Sequence, residues 1–126
     1  MAQSQKILQF RHEIDTWKRY LLFIQQENNH LKNRLSQALQ KDTDHEFLER
    51  AEYFQSKFIT EDDTVNMLRQ DIHELDSLMI KEVKDESSGA KLLDKKSKKM
   101  QKDMDIVEKQ FARLKSDFNH YLSEMV

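Results

Sequence analysis

The sequence has no cysteine, no proline and a single glycine, Gly89. Without cysteine the chain can form no disulfide and has no thiolate to act as a nucleophile or metal ligand. Proline and glycine most often end helices and shape turns, so their near absence predicts long helices joined by short connections. The length of 126 residues is that of one domain.

Long apolar stretches are missing as well. The longest apolar run extends only from Tyr20 to Ile24, which is far too short to span a membrane. Charged side chains interrupt the first 25 residues, so these residues do not form the apolar segment of a secretory signal peptide. We therefore expect a soluble, cytoplasmic protein.

The apolar residues recur at alternating intervals of three and four positions, the heptad pattern of helices that pack as a coiled coil. The first run comprises Ile7, Phe10, Ile14, Trp17, Leu21, Ile24, Asn28, Leu31, Leu35 and Ala38. The second comprises Phe47, Ala51, Phe54, Phe58, Glu61, Val65, Leu68, Ile72, Leu75 and Met79. The third comprises Leu93, Ser97, Met100, Met104, Val107, Phe111, Leu114, Phe118, Tyr121 and Met125.

Two short polar segments separate the three runs. In "KDTDHE" the spacing of Thr43 and Glu46 is that of a capping box, which starts a helix, and the heptad phase changes there. In "KDESSGAK" Gly89 can adopt a positive φ at little cost, and Ser87 or Ser88 can cap the helix that follows. Both segments predict tight turns.

These features predict an all-α protein, an antiparallel up-down-up bundle of three long helices with coiled-coil packing. The spacing does not decide whether the bundle forms within one chain or by exchange of helices between two. We expect a single domain, 1–126, with helices at about 4–41, 44–85 and 90–124.

The second helix has an alternative. Thr60 and Asp63 also have capping-box spacing, so this helix could break near residues 60–64 and give a four-helix protein. The heptad phase passes through this segment unchanged, with Glu61 as its polar member. One continuous helix is therefore the favoured prediction.

Charge is unevenly divided along the chain. Residues 1–41 carry seven basic and three acidic side chains, a net +4. Residues 42–86 carry five basic and fourteen acidic, a net −9, and residues 87–126 carry nine and six, a net +3. An acidic middle helix between two basic ones favours this pairing of helices, although exposed ion pairs add little stability.

Glu27 and His30 have the Glu-x-x-His spacing that di-metal helical bundles use. In the heptad frame, however, Glu27 lies on the flank of the apolar run and His30 on the outer face. Asp117 and His120, a near match, place their histidine outward too. We therefore predict that the match is accidental and that the protein holds no metal or other cofactor.

Motifs for other chemistry are also lacking. The sequence contains no glycine-rich phosphate loop, nucleophile elbow or HExxH motif. Its serines and acids are scattered over predicted helices. We therefore expect a protein that is not an enzyme and has no small-molecule substrate.

Asn28 and Glu61 are polar residues at core positions of their runs. With a turn near residue 42, Asn28 should lie level with Phe58 and Glu61 level with Gln25. We interpret Asn28 and Glu61 as a hydrogen-bonded polar layer that sets the register of the helices. A polar pocket for a ligand is the alternative.

A set of apolar residues falls outside the three runs, and Leu22, Phe23 and the segment Ile59 to Met67 should lie at similar heights. Large apolar side chains gathered on a surface usually mark a protein contact. We predict that they form one patch in the middle of the bundle and bind a second copy of the chain or a helix of a partner protein. The candidate partner contacts are Leu22, Phe23, Ile59, Met67 and Ile106.

The segment "KLLDKKSKKMQK", residues 91–102, has six lysines and one aspartate. Such a cluster can bind nucleic acid or an anionic membrane, and this is the alternative function. We favour a solvated helix surface that Glu82, Asp85 and Glu86 partly neutralise. The candidate anion contacts are Lys95, Lys98, Lys99 and Lys102.

Overall fold

The computed structural model describes residues 2–41, 44–85 and 90–124, and the side chains of these residues except 2–4, 82–85 and 90. The chain forms three helices, and the predicted all-α three-helix bundle is confirmed. At about 1.5 Å per residue, the two longer helices extend about 60 Å. The helices are α1 (Ala2–Lys41), α2 (His45–Asp85) and α3 (Ala90–Glu124).

The core follows the three apolar runs. Every residue of these runs whose side chain is described is buried or half-buried. An interval of three or four residues returns to the same side of a helix, so each run forms one apolar face. The three faces meet along the length of the bundle in one continuous core.

Contacts between helices fix their directions. Lys18 of α1 pairs with Asp76 of α2 at 3.4 Å, and Lys32, further along α1, pairs with the earlier Asp62, so these helices are antiparallel. Lys6 pairs with Asp94 near the start of α3, at 3.9 Å. Because α1 and α3 therefore run the same way, the order is up, down, up.

The second helix is continuous through the segment where a break was the alternative. The Thr60 hydroxyl donates a hydrogen bond to the Ser56 carbonyl oxygen at 3.0 Å, one turn back in the same helix. Thr64 donates to the Thr60 carbonyl oxygen in the same way, also at 3.0 Å. Since Thr60 bonds back along the helix and does not cap a new one, the four-helix alternative is wrong.

The second helix begins at His45. The Asp44 carbonyl oxygen accepts a hydrogen bond from the Leu48 amide at 3.0 Å, which places Asp44 at the N-cap position of α2. The predicted capping roles of Thr43, Ser87, Ser88 and Gly89 lie outside the described residues. Within the described parts of the chain, no helix has the long apolar stretch needed to cross a membrane.

Candidate functional site

A polar contact links α1 and α2 in the middle of the core. The side-chain amide of the fully buried Asn28 donates hydrogen bonds to the Phe58 carbonyl oxygen at 2.9 Å and to Asp62 Oδ1 at 2.8 Å. Asp62 Oδ2 forms an ion pair with Lys32. Asn28 thus lies level with Phe58, as the heptad register predicts, and ties the two helices together at one height.

Asp62, and not the predicted Glu61, is the acidic partner of Asn28. Gln25, expected to lie level with Glu61, instead accepts a hydrogen bond from Arg69, about two helical turns further along α2. The spacing gave heights only approximately because the path of the turn was unknown. The opposite charges of Lys32 and Asp62, at flanking positions of neighbouring helices, were the signal that sequence reasoning missed.

Glu61 is buried without a matching partner. Glu61 is only 6% exposed. In the described structure neither Glu61 Oε1 nor Asn28 Oδ1 has a hydrogen-bond partner. Burial, together with the neighbouring charge of Asp62, raises the pKa of Glu61 to about 7. Burial also raises the pKa of Tyr20, with smaller contributions from the charges of Glu108 and Glu61. The core therefore holds a carboxyl group that titrates near neutral pH.

A groove of about 680 Å³ runs along the outer junction of α1 and α2. Leu22, which is 51% exposed, forms part of its α1 wall. The buried Ile72 and the exposed His73 belong to the α2 wall. Its lining is completed by Lys18, Arg69, Gln70 and Glu74. The groove therefore combines an apolar floor with charged rims, and we call this surface the α1–α2 groove.

A smaller groove of about 220 Å³ lies between α2 and α3. Met67 lines it from α2 and Ile106 from α3, and the two side chains are 56% and 53% exposed. We call this surface the α2–α3 groove. Phe23 and Ile59 are exposed to a similar degree, and the Phe23 ring lies 6.0 Å from the ring of Tyr20. The five predicted contact residues are thus all exposed, but Leu22 lines one groove, Met67 and Ile106 line the other, and Phe23 and Ile59 line neither.

Sequence reasoning also missed several exposed apolar residues. Each is adjacent in the sequence to a residue of one of the apolar runs, so spacing gave no separate signal for it, although helix packing places some of them along the same junctions. They are Leu8, Leu48, Tyr53, Ile80 and Leu92.

The lysine-rich start of α3 is partly neutralised by acids of the same helix. Lys98 pairs with Asp94 at 3.2 Å, and Lys99 pairs with Asp103 at 2.9 Å. The hydrogen bond and charge of Asp103 raise the pKa of Lys99. Lys95 and Lys102 are exposed. The side chains of Glu82, Asp85 and Glu86, the predicted counter-charges, lie outside the described ones.

The Glu-x-x-His pairs do not converge. Glu27 accepts a hydrogen bond from Lys115 of α3 at 2.5 Å, and this bond lowers the pKa of Glu27. His120 lies 3.1 Å from Glu124, and all five histidines are exposed. Among the described residues, no group of three or more His, Asp or Glu side chains is arranged to hold a metal ion.

No protein-family model matches the chain, and no curated protein or solved structure matches it either. The two most distinctive features of the bundle are its apolar surface grooves and the buried polar contact of Asn28. The grooves are open to a partner, whereas Asn28 is enclosed by the core.

Proposed function

We propose that the protein is a non-enzymatic interaction module of the cytoplasm that associates with a second copy of itself. The observation that carries this proposal is the half-exposed Leu22 in the wall of the α1–α2 groove. Exposed apolar residues that are scattered singly are ordinary, but those that line a groove beside buried core residues usually mark a protein contact. A two-fold dimer is the simplest assembly that covers such a surface.

Charge pairing favours this proposal over binding of nucleic acid or an anionic membrane. Lys98 and Lys99 already have carboxylate partners on their own helix, so an anionic ligand would have to compete with Asp94 and Asp103. The chain as a whole has a net charge of −2, which repels polyanions at long range. Lys95 and Lys102 remain the candidate contacts for this alternative.

The test is the molar mass in solution, measured by light scattering at low and at moderate salt. We expect a dimer that persists in salt, because burial of apolar surface is little affected by ionic screening. The double variant Leu22→Glu/Phe23→Glu should be a monomer, and circular dichroism should show unchanged helix content. The matched control, Lys98→Gln/Lys99→Gln, should remain a dimer.

A monomeric wild-type protein would overturn self-association, and a dimeric double variant would exclude the Leu22 and Phe23 region as its contact. Binding of labelled DNA or anionic vesicles would instead support the electrostatic alternative. That binding would have to weaken steeply with salt and disappear in the variant Lys95→Gln/Lys102→Gln.

A further inference from the structure

The outer junction of α1 and α2 carries more apolar surface than Leu22 alone. On α1 the side chains of Lys18, Gln25 and Lys32 contact α2. Leu22 lies four residues after Lys18 and three before Gln25, and therefore on the same side of the helix. Arg11 lies one heptad before Lys18 and therefore on the same side of α1. Leu8, three residues before Arg11, extends this side towards the start of the helix.

On α2, too, exposed apolar residues flank the row of side chains that contacts the other helix. Here Asp62, Arg69 and Asp76 contact α1. Ile59 lies three residues before Asp62, and Ile80 lies four residues after Asp76, so both flank this contact row. Leu8, Leu22, Ile59 and Ile80 are all exposed. Together they mark the α1–α2 face, on which apolar side chains beyond the groove in both directions alternate with exposed polar ones such as Asp15, Asn29 and Asn66.

The two helices of this face differ in charge. Residues 2–41 carry seven basic and three acidic side chains, a net +4. Residues 45–85 carry five basic and eleven acidic, a net −6. On the face itself α1 has Arg11, Lys18 and Lys32 against Asp15, and α2 has Glu52, Asp62 and Asp76 against Arg69. A net-basic strip thus runs beside a net-acidic strip, with apolar residues along their junction.

Two copies can meet through this face with two-fold symmetry in two ways. If the two-fold axis is parallel to the helices, α1 of each copy lies over α2 of the other. If the axis crosses the helices, α1 lies over α1 and α2 over α2, so that strips of like charge face one another. Juxtaposed like charges disfavour a complex, and complementary strips select one orientation.

We infer that a second copy docks on the α1–α2 face about a two-fold axis parallel to the helices, with α1 of each copy over α2 of the other. This inference rests on the proposed self-association and specifies its geometry. An axis parallel to the helices keeps every residue at its own height. Leu22 of each copy therefore enters the other copy's α1–α2 groove at the height of Ile72 and His73.

The size of the face is sufficient for a stable dimer. A standard interface buries about 800 Å² on each partner. Two helices about 60 Å long, with axes about 10 Å apart, offer more than that area. The apolar side chains supply the burial, and the charged strips determine the orientation.

The absence of native cysteine allows this geometry to be measured with single spin labels. Gln5 and Gln40 are exposed residues near opposite ends of α1, and each is replaced by cysteine in a separate full-length variant. The inferred dimer should give distances of about 20 to 30 Å between labels at both positions, since the helices lie side by side. Pulsed electron paramagnetic resonance measures this range.

The opposite orientation predicts a different pattern. A dimer centred on the middle of α1 with a crossing axis separates each pair of labels by about 50 Å, given a rise of about 1.5 Å per residue. Moving its centre towards one end shortens one distance only by lengthening the other. A long distance at either position would overturn the inferred orientation while self-association itself stands.

Point substitutions test the choice of face. Leu22→Glu alone should give a monomer, whereas Ile106→Glu in the α2–α3 groove should leave the dimer intact. Phe23→Glu is the neighbouring control and should also leave it intact. Loss of the dimer in Ile106→Glu but not in Leu22→Glu would overturn the assigned face. A monomeric wild-type protein would instead refute the proposed function on which the inference rests.

Discussion

The core of the bundle differs between its two ends. At the end where α2 begins and α3 finishes, aromatic rings pack against one another, and the Phe54 ring lies 5.3 Å from that of Phe118. The Tyr121 hydroxyl also donates a hydrogen bond to the Phe47 carbonyl oxygen at 2.9 Å. At the opposite end the buried rings of Phe10 and Trp17 both belong to α1, and the core residues of α2 and α3 include flexible or small side chains. These are Met79, Met100, Met104 and Ser97, and we call this end the methionine end.

The surfaces of the two ends differ correspondingly. Arg50 lies over the Tyr121 ring at 4.8 Å and Arg34 over the Phe118 ring at 5.7 Å, so cationic side chains cover the aromatic end. The α1–α2 groove, which is formed partly by Ile72 and His73, lies towards the methionine end. Aromatic rings fix one end of the bundle, whereas the adaptable methionine end adjoins the surface that we propose for association.

Alanine substitutions of buried side chains compare the packing of the two ends through the free energy of unfolding. Phe118→Ala should lower the free energy of unfolding by about 4 kcal/mol, because a fully buried ring leaves a large cavity. Met104→Ala should lower it by about 2 kcal/mol, since flexible neighbours can partly fill the smaller space. Urea unfolding at one pH measures both. Equal losses would show that the two ends are equally well packed.

The buried Glu61 lies between the two ends and should make stability depend on pH. Its pKa rises from 4.5 to about 7 on folding, so the folded chain binds more protons than the unfolded chain between these values. The stabilising contribution is fully present below pH 4.5 and is lost as pH rises through about 7. We therefore expect the protein to be about 1 kcal/mol more stable at pH 6 than at pH 8.

Glu61→Gln provides the matched control for that measurement. The neutral amide keeps the size of the side chain but has no proton to lose, so the difference between pH 6 and pH 8 should disappear. The variant should also be more stable than the wild type at pH 8. An unchanged pH dependence in the variant would assign the effect to another group.

The sequence was sufficient to predict the fold because the heptad pattern repeats through all three helices. Each polar interruption, including Asn28 and Glu61, lies at the buried position that the pattern assigned to it. The partner of Asn28 was missed, because Glu61 shares a core position with Asn28, whereas Asp62 lies about 100° further around the helix, on the flank that contacts α1. The surface grooves could not be predicted either, because spacing along one helix does not determine which neighbour its outer side adjoins.

Ser97 should give the smallest effect and refines the comparison at the methionine end. Ser97 is buried, and its hydroxyl has no hydrogen-bond partner in the described structure. Ser97→Ala should therefore raise the free energy of unfolding by about 1 kcal/mol more than Ser116→Ala, an exposed control in the same helix that measures the gain in helix propensity alone. Thermal and urea unfolding of the two variants provide the measurement. An equal increase in the free energy of unfolding of both variants would show that burial of the Ser97 hydroxyl costs nothing. The core at the methionine end would then contain no unfavourable buried polar group at this position.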